Sequence, residues 1–213
     1  MAKGAKKNRS KLMASSSDFC FGNYTLFKGK GMFSLNEGII LDSFQEFLSD
    51  LDTIAYASYL CELIDFSMVE GESNRLLFKG FVVAFYLMRN NIGDLETLIR
   101  AFEVKLLAHT GYGLNMEYCV KCRKKISSSN YFSYEYNGGI CKECAKNNGK
   151  VISYATFNTL KFLSKIQLDK IYRINLNNKI KDEIYAVLSN LIFQSYGKRP
   201  KSLEILDSLR RND

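Results

Sequence analysis

The sequence contains no tryptophan, a single proline and a single histidine among its 213 residues. One histidine gives little material for a histidine-based catalytic centre, and no serine or cysteine partner for His109 is evident, so we expect it to have a structural role. No run of about 18 apolar residues occurs, which argues against a membrane span. The basic N-terminus is not followed by a continuous apolar stretch, which argues against a secretory signal.

Nucleotide-binding and catalytic motifs are also missing. The sequence has neither a GxxxxGK[ST] phosphate loop nor a GxGxxG turn, so the use of ATP or a dinucleotide has no support. The histidine, glutamate and cysteine signature of zinc deaminases is absent too. Acidic pairs such as Asp50/Asp52 lie in stretches that are typical of solvated surface. We therefore predict that the protein is not an enzyme and has no small-molecule substrate.

The six cysteines fall into two groups. In a chain without an export signal they indicate metal ligands or core thiols rather than disulfides. Cys20 and Cys61 lie in apolar patterns and are predicted to be core thiols. The other four form two pairs, each with two residues between its members and eighteen residues between the pairs: Cys119, Cys122, Cys141 and Cys144.

The spacing of the paired cysteines predicts a metal site. Two residues between thiolates let one tight turn aim both sulfurs at the same ion, and a second turn completes the tetrahedron that Zn²⁺ accepts. Nearby lysines should lower the thiol pKa values and favour metal capture. Structural zinc is the main hypothesis, in a finger over residues 117–147. An iron–sulfur centre, another metal or a redox dithiol are the alternatives.

The net charge of +8 is unevenly distributed along the chain. Residues 1–31 carry seven Lys/Arg and one acid, whereas residues 32–118 carry five Lys/Arg and thirteen acids. Residues 119–150 and 151–213 each return to an excess of five positive charges. A basic head and a basic distal part indicate a polyanionic partner on two surfaces. Solubility alone is the alternative explanation.

The periodicity predicts a small β-rich head followed by a helical body. Residues 19–27 and 32–35 are typical of strands on either side of a glycine-rich turn, and residues 131–136 predict a strand before a tight turn at Asn137-Gly138-Gly139. From about Gln45 the apolar residues recur at three- and four-residue steps, which predicts helix. Further helices are expected over 75–90, after an N-cap at Asp94, and near 155–167, 180–196 and 201–210.

Several segments resemble, in the same order, those of a known family. They are the basic element Lys3–Ser10, the helix segment Tyr56–Leu63, Phe102–Leu107 with Gly111-Tyr112, the paired cysteines with Gly138-Gly139, and Lys201–Leu203 with Leu206. Together they resemble the RecO family of bacterial recombination mediators, from Lys3 to about Leu209. Each segment alone is weak, whereas the ordered set is specific.

The resemblance implies an α+β fold and a function in recombinational repair. The expected architecture is a partial N-terminal OB-fold β-barrel over residues 1–44, then an all-helical domain over 45–213 with the embedded four-cysteine zinc finger. Members of the family lie in the bacterial cytoplasm at the nucleoid, bind single- and double-stranded DNA and anneal complementary strands. With RecR and the C-terminal tail of single-strand-binding protein, they help to load RecA in the RecF pathway.

One departure from the family pattern concerns the head. The basic element follows several strands in the family but begins here at Lys3, so we expect the first strands of the barrel to be absent. A barrel without these strands would leave an open edge and an uncovered core.

The resemblance and the charge pattern together predict the contacts of the protein with DNA. Phosphate-binding cations are expected in the head at Lys3, Lys6, Lys7, Arg9, Lys11, Lys28 and Lys30, and on the finger at Arg123, Lys124 and Lys125. Phe19, Phe21, Tyr24 and Phe27 either stack bases or fill the barrel. Arg75, Lys79, Arg100 and Lys105 either meet the acidic tail of single-strand-binding protein or form ordinary surface ion pairs.

Two other functions remain open at the level of sequence. A zinc-ribbon nucleic-acid-binding factor in transcription or RNA metabolism would use the same basic surfaces without annealing strands. An enzyme with a structural cysteine quartet, as in NAD-dependent deacylases, is the third possibility. The missing glycine-rich nucleotide loop argues against that enzyme.

Overall fold

The computed structural model describes residues 1–7, 9–146 and 149–210, with side chains up to residue 208. The chain divides into two compact units, Met1–Ala57 and Ser58–Asp213. The first unit contains strands β1 (Phe21–Lys28) and β2 (Phe33–Asp42). The helices are α1 (Leu51–Ser67), α2 (Arg75–Arg89), α3 (Leu95–His109), α4 (Tyr154–Lys165), α5 (Asn178–Tyr196) and α6 (Ser202–Arg210).

The head is a single antiparallel hairpin preceded by a turn-rich basic segment. β1 pairs with β2 in a register that places Tyr24 opposite Gly38, with one irregularity at the start of β1, between Phe21 and Gly22, and one in its middle, between Thr25 and Leu26. A Cβ atom on Gly38 would lie 2.5 Å from the Cβ of Ser15, so the short 3₁₀ turn Ala14–Ser16 can pack here only against a glycine. The N-terminal residue adds to the outer edge of β2, since the amide of Leu35 donates to the Met1 carbonyl at 2.9 Å.

The predicted strands and turn of the head are confirmed, but a barrel is not formed by the described part of Met1–Ala57. Its strands make one two-stranded sheet. Because two strands cannot enclose a core, large apolar side chains of the hairpin stay exposed on both strands: Leu26, Phe27, Phe33, Ile39, Ile40 and Leu41. The observed fold is therefore a short strand region followed by a helical domain.

Helix α3 is the centre of the second unit. It contacts α2, α4, α5 and a 3₁₀ turn at Leu168–Arg173, and nearly every residue from Thr97 to Leu107 is buried. Its N-terminus is capped as predicted, since the Asp94 carboxylate accepts from the Thr97 amide at 2.8 Å. Lys181 of α5 pairs with the same carboxylate at 2.7 Å. Helix α3 is thus enclosed by its neighbours although its buried residues include the charged pair Arg100 and Glu103.

A buried ion pair lies inside this helical core. Arg100 donates to both carboxylate oxygens of Glu103 at 2.8 Å, the Tyr59 hydroxyl donates to the same carboxylate, and the Arg100 guanidinium lies 5.0 Å from the Tyr185 ring centroid. Arg100 is only 1% exposed. The prediction that Arg100 meets an acidic tail at the surface is therefore wrong, because its charge is used inside the core.

The last helix is held by a side chain from the first. Both oxygens of Glu62 in α1 accept hydrogen bonds at the start of α6, from the Lys201 amide at 2.8 Å and from the Ser202 amide at 2.9 Å. Burial alone would raise the pKa of Glu62, but the Ser202 hydroxyl, which also donates to this carboxylate, and the two amides outweigh burial and lower it. Helix α6 thus receives its N-terminal cap from a distant segment, with buried Pro200 just before it.

The predicted helices are all present, with shifts of a few residues at their ends. The segment from Gln45 first forms a 3₁₀ turn, Gln45–Ser49, and α1 begins at Leu51. The sequence-based boundary at residue 44 follows the change of period, whereas the first compact unit extends to Ala57 within α1. No helix in the described part of the chain has the length and hydrophobicity needed to cross a membrane.

Candidate metal centre and basic surfaces

The paired cysteines lie in turns beside a small three-stranded sheet inserted between α3 and α4. The sheet and these turns, in the described residues 115–146 and 149–152, are here called the ribbon. Its strands are β3 (Tyr131–Ser133), β4 (Gly138–Gly139) and β5 (Lys150–Val151), in the order β4-β3-β5. The predicted turn is displaced: Gly138 and Gly139 belong to β4, and the turn comes just before them. A Cβ atom on Gly139 would lie 2.6 Å from the Phe157 ring, so close packing against α4 requires the glycine.

Each cysteine pair sits on a tight backbone turn. In the first, the Cys119 amide donates to the Lys124 carbonyl at 2.8 Å, and the Arg123 amide donates to the Cys119 carbonyl at 2.9 Å. Arg123 has a φ of 64°, the left-handed conformation that closes this turn. In the second, the Cys144 amide donates to the Cys141 carbonyl at 3.0 Å. The two turns therefore present their thiols from rigid backbone rather than from free loops.

The four sulfur atoms converge on one point. All lie within 4.8 Å of one another, and the Sγ atoms of Cys122 and Cys141 are 3.8 Å apart. A tetrahedral ion with Zn–S bonds of about 2.3 Å requires S–S separations of about 3.8 Å. The Cys141 amide also donates to the Cys119 sulfur at 3.4 Å, as expected for a sulfur that carries negative charge. The four cysteines could therefore hold a metal ion.

Local electrostatics prepare the cluster for a cation. Burial opposes ionisation of Cys119, but backbone amides of Cys122, Cys141 and Lys121 outweigh burial and lower its pKa to about 6. The Cys144 thiol hydrogen-bonds to Cys141 and is close to the other sulfurs, which raises its pKa to about 12. Four sulfurs this close cannot all ionise without a counter-charge, and a bound metal cation would supply one.

The cations predicted to contact DNA all lie at the surface of their own unit. Those of the head are exposed in the turn-rich segment and at the hairpin tip: Lys3, Lys6, Lys7, Arg9, Lys11, Lys28 and Lys30. Those of the ribbon, Arg123, Lys124 and Lys125, are exposed around the first cysteine pair. Lys124 pairs with Glu143 at 3.2 Å. The role of these residues stays a prediction.

The aromatic and cysteine residues of the head differ in burial. Phe19 packs edge-on against Phe47 with ring centroids 5.7 Å apart, so it serves the interior of the head. Tyr24 and Phe27 are exposed on β1. Cys20 is half-buried, as is Cys61 in α1, so neither is enclosed as a core thiol would be.

A pocket of about 350 Å³ lies beside α2 and α3 in the second unit. Phe102 and Leu168 contribute to its apolar wall, and Lys79, Lys105 and Lys165 line it together with exposed His109. Lys105 donates to the Ser164 carbonyl at 2.9 Å, and partial burial lowers its pKa. The sequence reasoning named Lys79 and Lys105 but missed Lys165, which only the packing of α4 against α3 brings to the same place.

Residues 48–204 match the family model described as the C-terminal region of recombination protein O. The DNA repair protein RecO of Clostridium acetobutylicum is 58% identical over 210 residues, covering 99% of this chain and 85% of that protein. The RecO protein of Clostridium novyi is 50% identical over 213 residues, covering 100% of this chain and 83% of the relative. That of Desulforamulus reducens is 29% identical over 216 residues, covering 100% and 84%.

Proposed function

We propose, since the chain belongs to the RecO family of DNA repair proteins, that it acts as a recombination mediator of the RecF pathway. In this proposal it binds single- and double-stranded DNA, anneals complementary strands and helps to load RecA together with RecR. Binding energy alone performs these tasks, without bond-making or bond-breaking chemistry. The protein would act in the cytoplasm, at the nucleoid.

The observation that carries the proposal is the presence of exposed basic groups on both compact units. The turn-rich segment of the head carries five cations between Lys3 and Lys11, and the ribbon carries a second group around Cys119 and Cys122. Each group can neutralise phosphates and release their counterions. Two such surfaces on one chain would allow each complementary strand to be held while its repulsion from the other is screened.

We assign a structural Zn²⁺ ion to the cysteine quartet. Four thiolates at tetrahedral spacing fit zinc, and they leave no position for a substrate. The ion would cross-link the two turns of the ribbon and balance the charge of the thiolates. Its role is therefore to keep the basic surface of the ribbon in one shape.

We assign the pocket between α2, α3 and α4 to the acidic C-terminal tail of single-strand-binding protein. Such a ligand needs cations for its carboxylates and an apolar recess for its hydrophobic side chains. Lys79 and Lys105 offer the charge, and Phe102 and Leu168 the recess. Lys79 is exposed at the rim of the pocket and should add little affinity for the tail. Half-buried Lys105 should contribute more to this affinity because its charge is less screened by water.

Strand annealing is the activity that tests the proposal. Two complementary oligonucleotides, one carrying a fluorophore and the other a quencher, are mixed with the zinc-loaded protein and no nucleotide. We expect faster quenching than in buffer alone, and a rate enhancement that falls steeply between about 50 and 200 mM salt because the binding is electrostatic.

Two results would separate the alternatives. Tight DNA binding without any acceleration of annealing would contradict the mediator function and favour a nucleic-acid-binding zinc ribbon of another pathway. A requirement for a nucleotide would contradict the proposal that binding energy alone suffices. A heat-denatured sample of the same preparation is the control for annealing promoted by contaminating salt or metal.

A further inference from the structure

Tyr118 and Lys125 are directly opposite each other in the first cysteine turn. They form an antiparallel bridge, flanked by the hydrogen bonds from Cys119 to Lys124 and from Ile126 to Glu117. Neither residue of the bridge takes part in those two bonds. In pairs of this kind the two side chains lie on the same face of the ladder and approach each other most closely. The geometry therefore places an aromatic residue and a lysine on the same face of the turn.

The face that carries Tyr118 and Lys125 is turned away from the helical body. Glu117, the neighbour of Tyr118, is directed towards α4, where its carboxylate pairs with Lys161 at 3.2 Å and with Lys165. Successive side chains in an extended segment point to opposite sides, so Tyr118 points away from α4. It is accordingly 48% exposed, and Lys125 is exposed beside it.

This arrangement suits an unpaired nucleotide. A flat exposed ring offers a stacking surface to any base, and a cation next to it can pair with the adjoining phosphate. A base inside a duplex has both faces covered by its neighbours, so the ring gains nothing from double-stranded DNA. The acid next to Tyr118 is already engaged by lysines of α4, which leaves the net charge near the ring positive.

We propose that Tyr118 stacks on a base of single-stranded DNA and that Lys125 binds the adjoining phosphate. The proposal rests on the proposed DNA-binding function and goes further, because it names the contact through which the ribbon distinguishes a single strand from a duplex.

Tyr136 provides a matched control on the same ribbon. It is 49% exposed, close to the value for Tyr118. Its hydroxyl, however, is hydrogen-bonded to Glu135, and that carboxylate raises the pKa of the phenol. An adjacent carboxylate repels phosphate, so a strand of DNA should avoid Tyr136.

The absence of tryptophan from the sequence makes a direct test possible. In the zinc-loaded variants Tyr118→Trp and Tyr136→Trp, the introduced residue is the sole tryptophan of the chain. We expect oligothymidylate of about 20 nucleotides to quench the fluorescence at position 118 strongly and that at position 136 weakly, because only a stacked base quenches the indole efficiently. A duplex of the same length should leave both nearly unchanged.

Affinities of the Tyr118→Ala and Tyr136→Ala variants complete the experiment. Loss of one stacked base should weaken oligothymidylate binding by Tyr118→Ala about tenfold, while duplex binding changes less than about twofold. Tyr118→Phe should bind like the wild type, and circular dichroism with zinc content checks folding. Equal loss for both DNAs, or no loss for either while the wild type binds DNA, would overturn the role of Tyr118 and leave the DNA-binding function standing. A wild type that fails to bind any DNA would overturn the function itself.

Discussion

The hairpin of the head and the ribbon are two small β structures. The hairpin has long strands with exposed apolar side chains, whereas the ribbon has short strands next to buried ones. The hairpin strands have eight and ten residues, yet Leu26, Phe27 and Ile39 are each more than half exposed. The ribbon strands have two or three residues, yet Phe132 in β3 and Ile140, directly after β4, are completely buried. Strand length alone therefore does not bury a sheet, and a two-stranded ladder without a covered face is marginal in water.

The ribbon gains its order from contacts that are not local in the sequence. Gly139 lies against the Phe157 ring of α4, Glu117 pairs with lysines of α4, and the two cysteine turns meet at the sulfur cluster. The hairpin relies on its own ladder of backbone hydrogen bonds and on the N-terminal segment. We therefore expect changes in the ribbon to cost more than matched changes in the hairpin.

Removal of a metal ligand should have the largest effect. Cys141→Ser leaves three thiolates, so the chain should no longer hold the proposed zinc ion. The ribbon should then be destabilised by several kcal/mol, since metal binding contributes about 10 kcal/mol or more in small zinc modules. Zinc content and amide hydrogen exchange over residues 131–140 measure the effect. Cys20→Ser is the control, because Cys20 lies outside the cluster. Unchanged protection of the ribbon in Cys141→Ser would contradict the structural role of the metal.

Truncation of one phenylalanine in the ribbon and one in the hairpin should give the next largest difference in the free energy of unfolding. Phe132→Ala empties a completely buried site and should lower the free energy of unfolding by about 3–5 kcal/mol. Phe27→Ala removes a side chain that is mostly exposed, so its effect should stay within about 0.5 kcal/mol. Urea denaturation of the zinc-loaded proteins gives both values. Equal losses would mean that the hairpin is buried in solution against something that covers it.

Glycine substitution compares the space available in the two structures. A Cβ atom at Gly139 would press on the Phe157 ring, so Gly139→Ala should cost about 1–3 kcal/mol through overpacking. Gly31, in the hairpin turn, has nothing within 4 Å of an added Cβ, and Gly31→Ala should be neutral within about 0.5 kcal/mol. Thermal unfolding of both variants decides the point. A neutral Gly139→Ala would show that the ribbon packs loosely on α4.

The smallest expected effect concerns acid. Hydrogen bonds from Lys165, and to a lesser extent from Lys161, lower the pKa of Glu117. The contribution of Glu117 to the stability of the ribbon is therefore complete above the ordinary pKa of a glutamate, and it is lost as the pH falls through the lowered pKa. Glu117→Gln should therefore reduce ribbon protection at neutral pH and remove part of its pH dependence. Glu37→Gln, at an exposed hairpin position, is the control and should change neither. Hydrogen exchange measured between about pH 7 and 4 detects the difference.

The sequence was informative where the signal is local and uninformative where distant segments meet. Strands β1 and β2, the cysteine quartet and the Asp94 cap follow from short patterns, and the structure contains all of them. Gly138-Gly139 looked like a turn because paired glycines are typical of turns. The close packing of Gly139 against the Phe157 ring, which also requires glycine, involves a residue that is distant in the sequence. Arg100 looked like a surface cation because its burial beside Glu103 depends on Tyr59 of α1 and Tyr185 of α5, which are distant in the sequence.

The proposed strand annealing should need both basic surfaces. Annealing rates of three zinc-loaded triple variants, each lacking three exposed cations, test this claim. The head variant replaces Lys3, Lys6 and Lys7 with Gln, the ribbon variant replaces Arg123, Lys125 and Lys142, and the control replaces Lys170, Lys179 and Lys198. We expect the head and ribbon variants to lose most of the acceleration and the control to keep it, because only the first two remove cations that are proposed to bind phosphate. Full acceleration after neutralising either surface, or equal losses in all three, would contradict the claim.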